Sequence, residues 1–427
     1  MIAINSGSAW ADPGFPPAFP PNQNQLPQLP RESDFYSALP VPTPDQDRWY
    51  TDPPKLSKLK PGSIIRDRVV QSRLLGIPLP VFSKQLLYRT TDVHGNAIAT
   101  ATTVLIPGIP WVGSPRPVVS FQEAIDSTDS SCNPSHTLQA GTFKEIALTQ
   151  YWLEQGFAVN IPDFDGKFNT WLTKDEGYMV LDSLRAIRND HSLGLTNSAI
   201  GLYGFSGGGS GTLHTAEERK SYAPDVAIAG AAFGGVPADL PALADYAAHA
   251  EPGATGIVNF GAWAGISAMS KEYPGIDPKR LLNPAGRQIM ADMAKRCVYT
   301  IALTGMYRPP SDYYLPGSQG LHDRQVQNVL RENTFGRTVP DIPLLWWNGV
   351  WDELVWTSRI LPVVHSYWNR GADLRYYTLP LPEHVINAVA GWTPAAAWLS
   401  AILRGLSPGP RFMIDYPSPL PPGFPGA

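Results

Sequence analysis

The sequence predicts an α/β fold: a mostly parallel sheet with helices on both faces, interrupted by an inserted helical cap. Three observations predict it. Short apolar runs alternate with helix-period segments from about residue 117 to 232, and the rhythm resumes from 342 to 403. A serine at G-x-S-x-G spacing, in Tyr203-Gly204-Phe205-Ser206-Gly207-Gly208-Gly209, stands where an apolar run meets a segment that can be helical. Between 237 and 336 the rhythm breaks into helical stretches without strand signals.

The totals fit this class. The 427 residues are 43% hydrophobic and 16% charged with net charge -4, which allows a large buried core and gives nucleic acid no basic surface. A low charged fraction with 44 prolines and 38 glycines suits a loop-rich extracellular or periplasmic enzyme. No apolar run reaches the roughly 18–20 residues of a membrane helix, so no stable membrane span is expected. Cys132 and Cys297 allow one disulfide or two free thiols, and their spacing does not fit a zinc site. Ala9-Trp10-Ala11 before Asp12 matches a signal-cleavage pattern, although the basic and apolar regions that should precede it are missing. It is read as a signal-peptide remnant ending near residue 11.

Taken in order, residues 1–44 are proline-rich and read as an extended segment wrapped on the body. The core spans 45–236 and 337–405. Residues 82–89 and 97–106 alternate apolar and polar around Asp92-Val93-His94-Gly95-Asn96, the pattern of an antiparallel hairpin. Residues 117–121 read as a buried strand, 143–155 as a helix ending at Gly156, and 157–161 as a strand stopped by Pro162. A helix over 178–189, a strand at 199–202, a helix over 212–220 and a strand over 226–232 follow. The cap, 237–336, holds expected helices at 241–250 and 283–295. Its run from Gly256 to Ile266 lines either an acyl pocket or the cap's own core. After it come a strand and turn at 342–349, a helix at 358–370, a strand at 374–379 and a final helix at 385–403. A proline-rich tail occupies 406–427.

The serine pattern has a plain reading, a glycine-rich surface turn, and a chemical one, a nucleophile elbow. The chemical reading needs an acid and a histidine downstream, in the order of an α/β-hydrolase. Asp352 follows the strand after the cap, and His384 follows the last strand. Glu353 adjoins Asp352 but cannot aim at the same imidazole, and Asp373 sits at the wrong end of the sheet. His365 and His214 fall inside helices, His94 in a hairpin turn, and His136, His191, His249 and His322 in loops or cap segments. His384 would take the proton of Ser206 as it attacks an ester carbonyl and return it to the leaving alcohol, with Asp352 holding its tautomer. The N–H of Gly207 and one from the loop after 117–121 would face the oxyanion.

Several stretches together resemble the secretory lipase family. They are Phe121-Gln122-Glu123-Ala124-Ile125-Asp126-Ser127-Thr128 with Cys132-Asn133-Pro134-Ser135 behind it, the elbow at 204–208, the segment ending Ala232-Phe233-Gly234-Gly235-Val236-Pro237, residues 349–354, and Glu383-His384. The resemblance covers about residues 45–405. It implies Ser206, Asp352 and His384 as triad, Asp126 and Gly207 as oxyanion-hole residues, and a Cys132–Cys297 bridge. Any second family disulfide is missing. Asp126 must contribute its N–H or be protonated to help an oxyanion. Trp346, Trp347, Trp351 and Trp356 make the acid region unusually aromatic, which bears on the substrate pocket.

The reading is a secreted serine ester hydrolase, of lipase or carboxylesterase type, acting on lipid or other apolar esters through an acyl-enzyme, with transient contact at a lipid interface. An acyltransferase or specialised esterase on the same scaffold is the alternative, and a non-catalytic binding protein the third. No cofactor or metal is implied: paired histidines at ligand spacing and a G-x-x-x-x-G-K loop are both missing.

Overall fold

The computed structural model describes residues 29–416 apart from 38, 114, 167–171 and 251–253. The signal-like pattern at 9–11, most of the proline-rich N-terminal segment and the tail beyond 416 lie outside the described residues.

The strands are β1 (Ile64–Val70), β2 (Arg73–Leu74), β3 (Ile77–Pro78), β4 (Val81–Thr91), β5 (Ala97–Pro107), β6 (Val118–Gln122), β7 (Ala158–Pro162), β8 (Ile200–Phe205), β9 (Gly230–Gly234), β10 (Leu344–Trp351), β11 (Leu374–Pro382) and β12 (Phe412–Ile414). β2 and β3 form a small separate hairpin, and the other ten make one sheet in the order β1-β4-β5-β7-β6-β8-β9-β10-β11-β12. Every pairing from β7 to β12 is parallel. β1, β4 and β5 add an antiparallel edge. The turn between β4 and β5 is closed by Asp92, whose Oδ1 accepts from the N–H of His94 at 2.9 Å and of Asn96 at 2.7 Å.

The parallel strands are buried on both sides, and successive residues feed two different cores. Ile200 and Leu202 of β8 and Trp346 of β10 pack with the helices Asp175–Asn189, Gly207–Tyr222 and Thr357–Asn369. Tyr203, Phe205 and Trp347 pack on the opposite face with Ile146–Glu154 and His384–Leu403. Trp346 and Trp347 are therefore core residues on opposite faces, which leaves Trp351 and Trp356 as the aromatics nearer the surface. The helix His384–Leu403 is long and apolar enough to cross a membrane by length and composition alone, although its apolar residues are interrupted by polar ones. Its Ala395, Ala396, Leu399 and Leu403 are spent on the sheet.

Between β9 and β10 lie the helices Leu240–His249, Asn259–Glu272, Pro284–Met293, Val298–Gly305 and Arg324–Asn333. They share a core of their own that includes Trp263, Ile266, Met269, Ile301 and Leu330. Gly261 and Gly265 line a cavity of about 50 Å³ within it.

The structure departs from the sequence reading most clearly at three places. Val226 and Ile228 are buried below the sheet, and the strand starts only at Gly230: apolarity there reported burial rather than extended pairing. The helix after Ser206 begins at once, at Gly207, although three glycines in a row disfavour helix by propensity. In the proline-rich tail, residues 412–414 pair in parallel with β11 and carry the sheet one strand further.

Candidate active site

The chain leaves β6 for β7 on one side and returns to β8 on the other. The helices that follow β6 and β8 lie on opposite faces, which makes the carboxyl ends of these two strands the switch point at which open α/β sheets place ligands. Asp126 follows β6 and Ser206 follows β8 at this point.

Ser206 links β8 to the helix Gly207–Tyr222 with φ 57° and ψ -124°, a conformation costly for any residue with a side chain. Its N–H donates to the Gly234 carbonyl at 2.9 Å, and its carbonyl accepts from the Ser210 N–H at 2.9 Å. The flanking glycines are there because backbones touch. A Cβ on Gly204 would collide with the Gly208 carbonyl, and one on Gly208 with the Gln122 carbonyl at the end of β6. The elbow is thus braced against the neighbouring strand.

Asp352 follows β10 and is fully buried. Its Oδ1 accepts from the N–H groups of Leu354 at 3.0 Å and Val355 at 2.8 Å, which fixes the carboxylate plane. His384 is the first residue of the helix His384–Leu403. Its Nδ1 lies 2.8 Å from Asp352 Oδ2 and 3.0 Å from Oδ1, and its Nε2 lies 2.8 Å from Ser206 Oγ. A proton on Nδ1, donated to Asp352, leaves Nε2 free to accept the serine hydroxyl. Burial opposes charging of the ring, but the carboxylates of Asp352, Glu353 and Asp126 outweigh it and raise its pKa above the ordinary histidine value. The arrangement can extract a proton from a serine hydroxyl and hold it.

Asp126 is buried with φ 45°, and its carboxylate packs so closely on Gly207 that a Cβ there would strike it. Burial raises its pKa against the pull of Lys144 and His384, so the neutral form is favoured beyond the usual carboxylate range. Its loop is held from below: Lys144 pairs with Glu123 at 2.9 Å, and Glu145 accepts from the Ala124 N–H at 3.1 Å. From above, Cys132 is bridged to Cys297, Ser127 Oγ donates to the Arg296 carbonyl at 2.8 Å, and Lys271 reaches the Thr128 carbonyl at 3.3 Å.

Ser206, Asp352, His384, Asp126 and Gly207 therefore lie together. The rivals lie elsewhere: Asp373 pairs with Arg375, and His214 is buried beside Phe335 with its pKa pushed down to about 3. His136 bonds the Ser131 carbonyl, and His94 the Glu272 carbonyl. Two neighbouring carboxylates, named in the sequence without a role, also hold this corner. Glu353 accepts from the backbone N–H of His384 at 2.9 Å, and Glu383, with φ 70°, accepts from the Ile386 N–H at 2.7 Å. Glu383 directly before a helical run was a legible capping signal. The Lys144–Glu123 pair left no sequence signal.

The model of a family described as secretory lipase matches residues 133–409. A Mycobacterium tuberculosis protein described as a probable inactive lipase is 33% identical over 356 residues, covering 80% of this chain and 78% of its own. Lipase A of Arthroderma benhamiae is 31% identical over 393 residues, covering 86% and 81%. Among solved structures, Candida antarctica lipase A superposes with a TM-score of 0.78 at 24% identity, covering 88% of this chain and 90% of that one, which shows the shared α/β-hydrolase fold. These relationships support ester hydrolase activity. With the family match spanning most of the chain and relatives above 30% identity spanning over three quarters of it, this protein belongs to the secretory lipase family.

Proposed function

We propose that the protein is an active serine carboxylic-ester hydrolase that works through an acyl-enzyme. Ser206 is the nucleophile, His384 the general base and then acid, and Asp352 the partner that holds the imidazole and stabilises its charged form. The N–H groups of Gly207 and Asp126 take the oxyanion. A neutral Asp126 carboxyl would not oppose the negative charge that develops there. The observation that carries this reading is the continuous path from Ser206 Oγ through Nε2 and Nδ1 of His384 to Asp352, each step 2.8 Å.

Apolar esters fit best. Val385, Ile386 and Val389 follow His384 on the same helix and are about half exposed or more, at 57%, 48% and 62%. They offer an apolar rim beside the serine to an acyl chain or a lipid surface. A Cys132–Cys297 bridge and the kinship with secretory lipases favour an extracellular location.

Ser206→Ala is expected to abolish hydrolysis of p-nitrophenyl esters while the melting temperature stays near wild type. Turnover by the purified variant would refute the assignment. One relative is described as inactive, so labelling by a fluorophosphonate probe is the direct check on competence. Wild-type protein that folds but takes no label on Ser206 would point to a binding protein instead.

A further inference from the structure

We propose that Glu353 is a positioning residue for His384: its carboxylate fastens the histidine's main chain and keeps a negative charge beside the ring, so that it helps set where activity falls off at acid pH. This rests on the reading of Ser206, Asp352 and His384 above.

The dipeptide after β10 grips the histidine twice. Asp352 turns inward to Nδ1 of the ring, while Glu353 Oε2 accepts from the backbone N–H of the same residue at 2.9 Å. Adjacent side chains that cannot share one imidazole divide the residue between them. The first N–H groups of a helix have no partner inside it, and negative charge at that end is favourable. Here Glu353 takes the N–H of His384 and Glu383 takes that of Ile386 at 2.7 Å. The Glu383 N–H also donates to the Trp351 carbonyl at 3.3 Å, which ties the helix start to the end of β10.

The electrostatics point the same way. The charged groups that raise the basicity of His384 are Asp352 and Glu353, Asp126 adding least because burial holds its carboxyl towards the neutral form, and the Phe205 ring packs 4.8 Å from the imidazole. Glu353 itself is half-buried; burial, Asp352 and Glu383 push its carboxyl up, while its backbone bond and His384 pull it down. From the cap, Tyr246 faces it. Loss of the Glu353 charge leaves Asp352 as the main carboxylate that favours the imidazolium. His384 then stays neutral, and able to act as base, to lower pH.

The test uses full-length Glu353→Gln and Glu353→Ala, assayed for kcat and kcat/KM on p-nitrophenyl butyrate across pH, with Ser206→Ala as control. Glu353→Gln keeps an acceptor for the His384 N–H and removes the charge. Its acid limb is expected to move to lower pH, so that one unit below the wild-type midpoint it outpaces wild type relative to its own plateau severalfold. Glu353→Ala removes both, and its plateau kcat is expected to fall roughly ten- to hundredfold with the same displacement of the acid limb. An acid limb of Glu353→Gln that stays in place or moves upward overturns the proposal, as does wild-type plateau kcat in Glu353→Ala. If the alanine variant fails to fold, the glutamine variant decides alone. Hydrolysis by Ser206→Ala would instead sink the underlying assignment, which keeps the two failures apart.

Discussion

Ser206 keeps its backbone conformation only because the residues around it lack side chains, and the glycines differ in what a methyl group would meet. A Cβ on Gly208 would strike the Gln122 carbonyl, which is backbone of β6 and cannot yield without breaking the sheet. Gly208→Ala should therefore lose folded protein, seen as a collapse in soluble yield and melting temperature. On Gly207 the obstacle is the end of the Asp126 side chain, which can rotate away. Gly207→Ala should fold but lose roughly 100- to 1,000-fold in kcat if the oxyanion site is disturbed as proposed. Asp352→Asn should fold and lose about 10,000-fold in kcat, since an amide stabilises the wrong tautomer of His384. Wild-type kcat in either variant would count against the roles assigned. The meeting of Ser206, Asp352 and His384 was legible because the parallel-sheet order fixes which loops come together at the carboxyl ends of the strands. Glu353 was visible only as a competitor of Asp352, because sequence does not say that one side chain takes the ring and the other the main chain. Asp126 came from the family resemblance, since a loop aspartate has no periodic signature.

At the scale of elements, the loop from 123 to 132 joins the sheet to the helices inserted after β9. The bridge spans 165 residues of chain, and closing a loop that long removes unfolded-state entropy worth about 5 kcal/mol in the chain-entropy model. The N-terminal helix Glu32–Ser37 reinforces the same place: Glu32 accepts from the Cys297 N–H at 3.2 Å and from Thr300 Oγ1, while Arg296 reaches the carbonyls of Leu29 and Pro30, each at 3.2 Å. The double variant Cys132→Ser, Cys297→Ser should melt several degrees lower by calorimetry and lose kcat more than KM. An unchanged melting temperature would mean that the polar contacts alone hold the junction. Strand and helix rhythm was readable because alternate residues of each parallel strand feed different cores, as Trp346 and Trp347 do. It failed at residues 412–414, where three residues among prolines carry too short a pattern, and pairing depends on the exposed edge of β11.

For the whole molecule, the buried carboxyl groups set a direction for stability against pH. Burial pushes Asp163, Asp175 and Glu217 up to about 7 and Glu145 up to about 8. Unfolded, such groups titrate near 4. Between those values the folded protein holds protons that the unfolded chain releases, so stability falls as pH rises. His214 and His136, held neutral by burial, work the other way below about 6.5, but they are two groups against four. Asp190 and Asp225, whose pKa values are lowered, titrate below this range and add no slope within it. The melting temperature should therefore drop from pH 5 to pH 8, and a flat or rising profile would show that these carboxyls are ionised in the fold. The Cys132–Cys297 bridge has a further consequence, one of timing. On a chain made from its N-terminus, Cys132 and the whole sheet through β9 exist long before Cys297. The loop that carries Asp126 lacks its covalent tie until the inserted helices are complete. Ser206, His384 and Asp352 come together without any redox step, whereas the covalent tie between this loop and the inserted helices forms only where an oxidant is at hand.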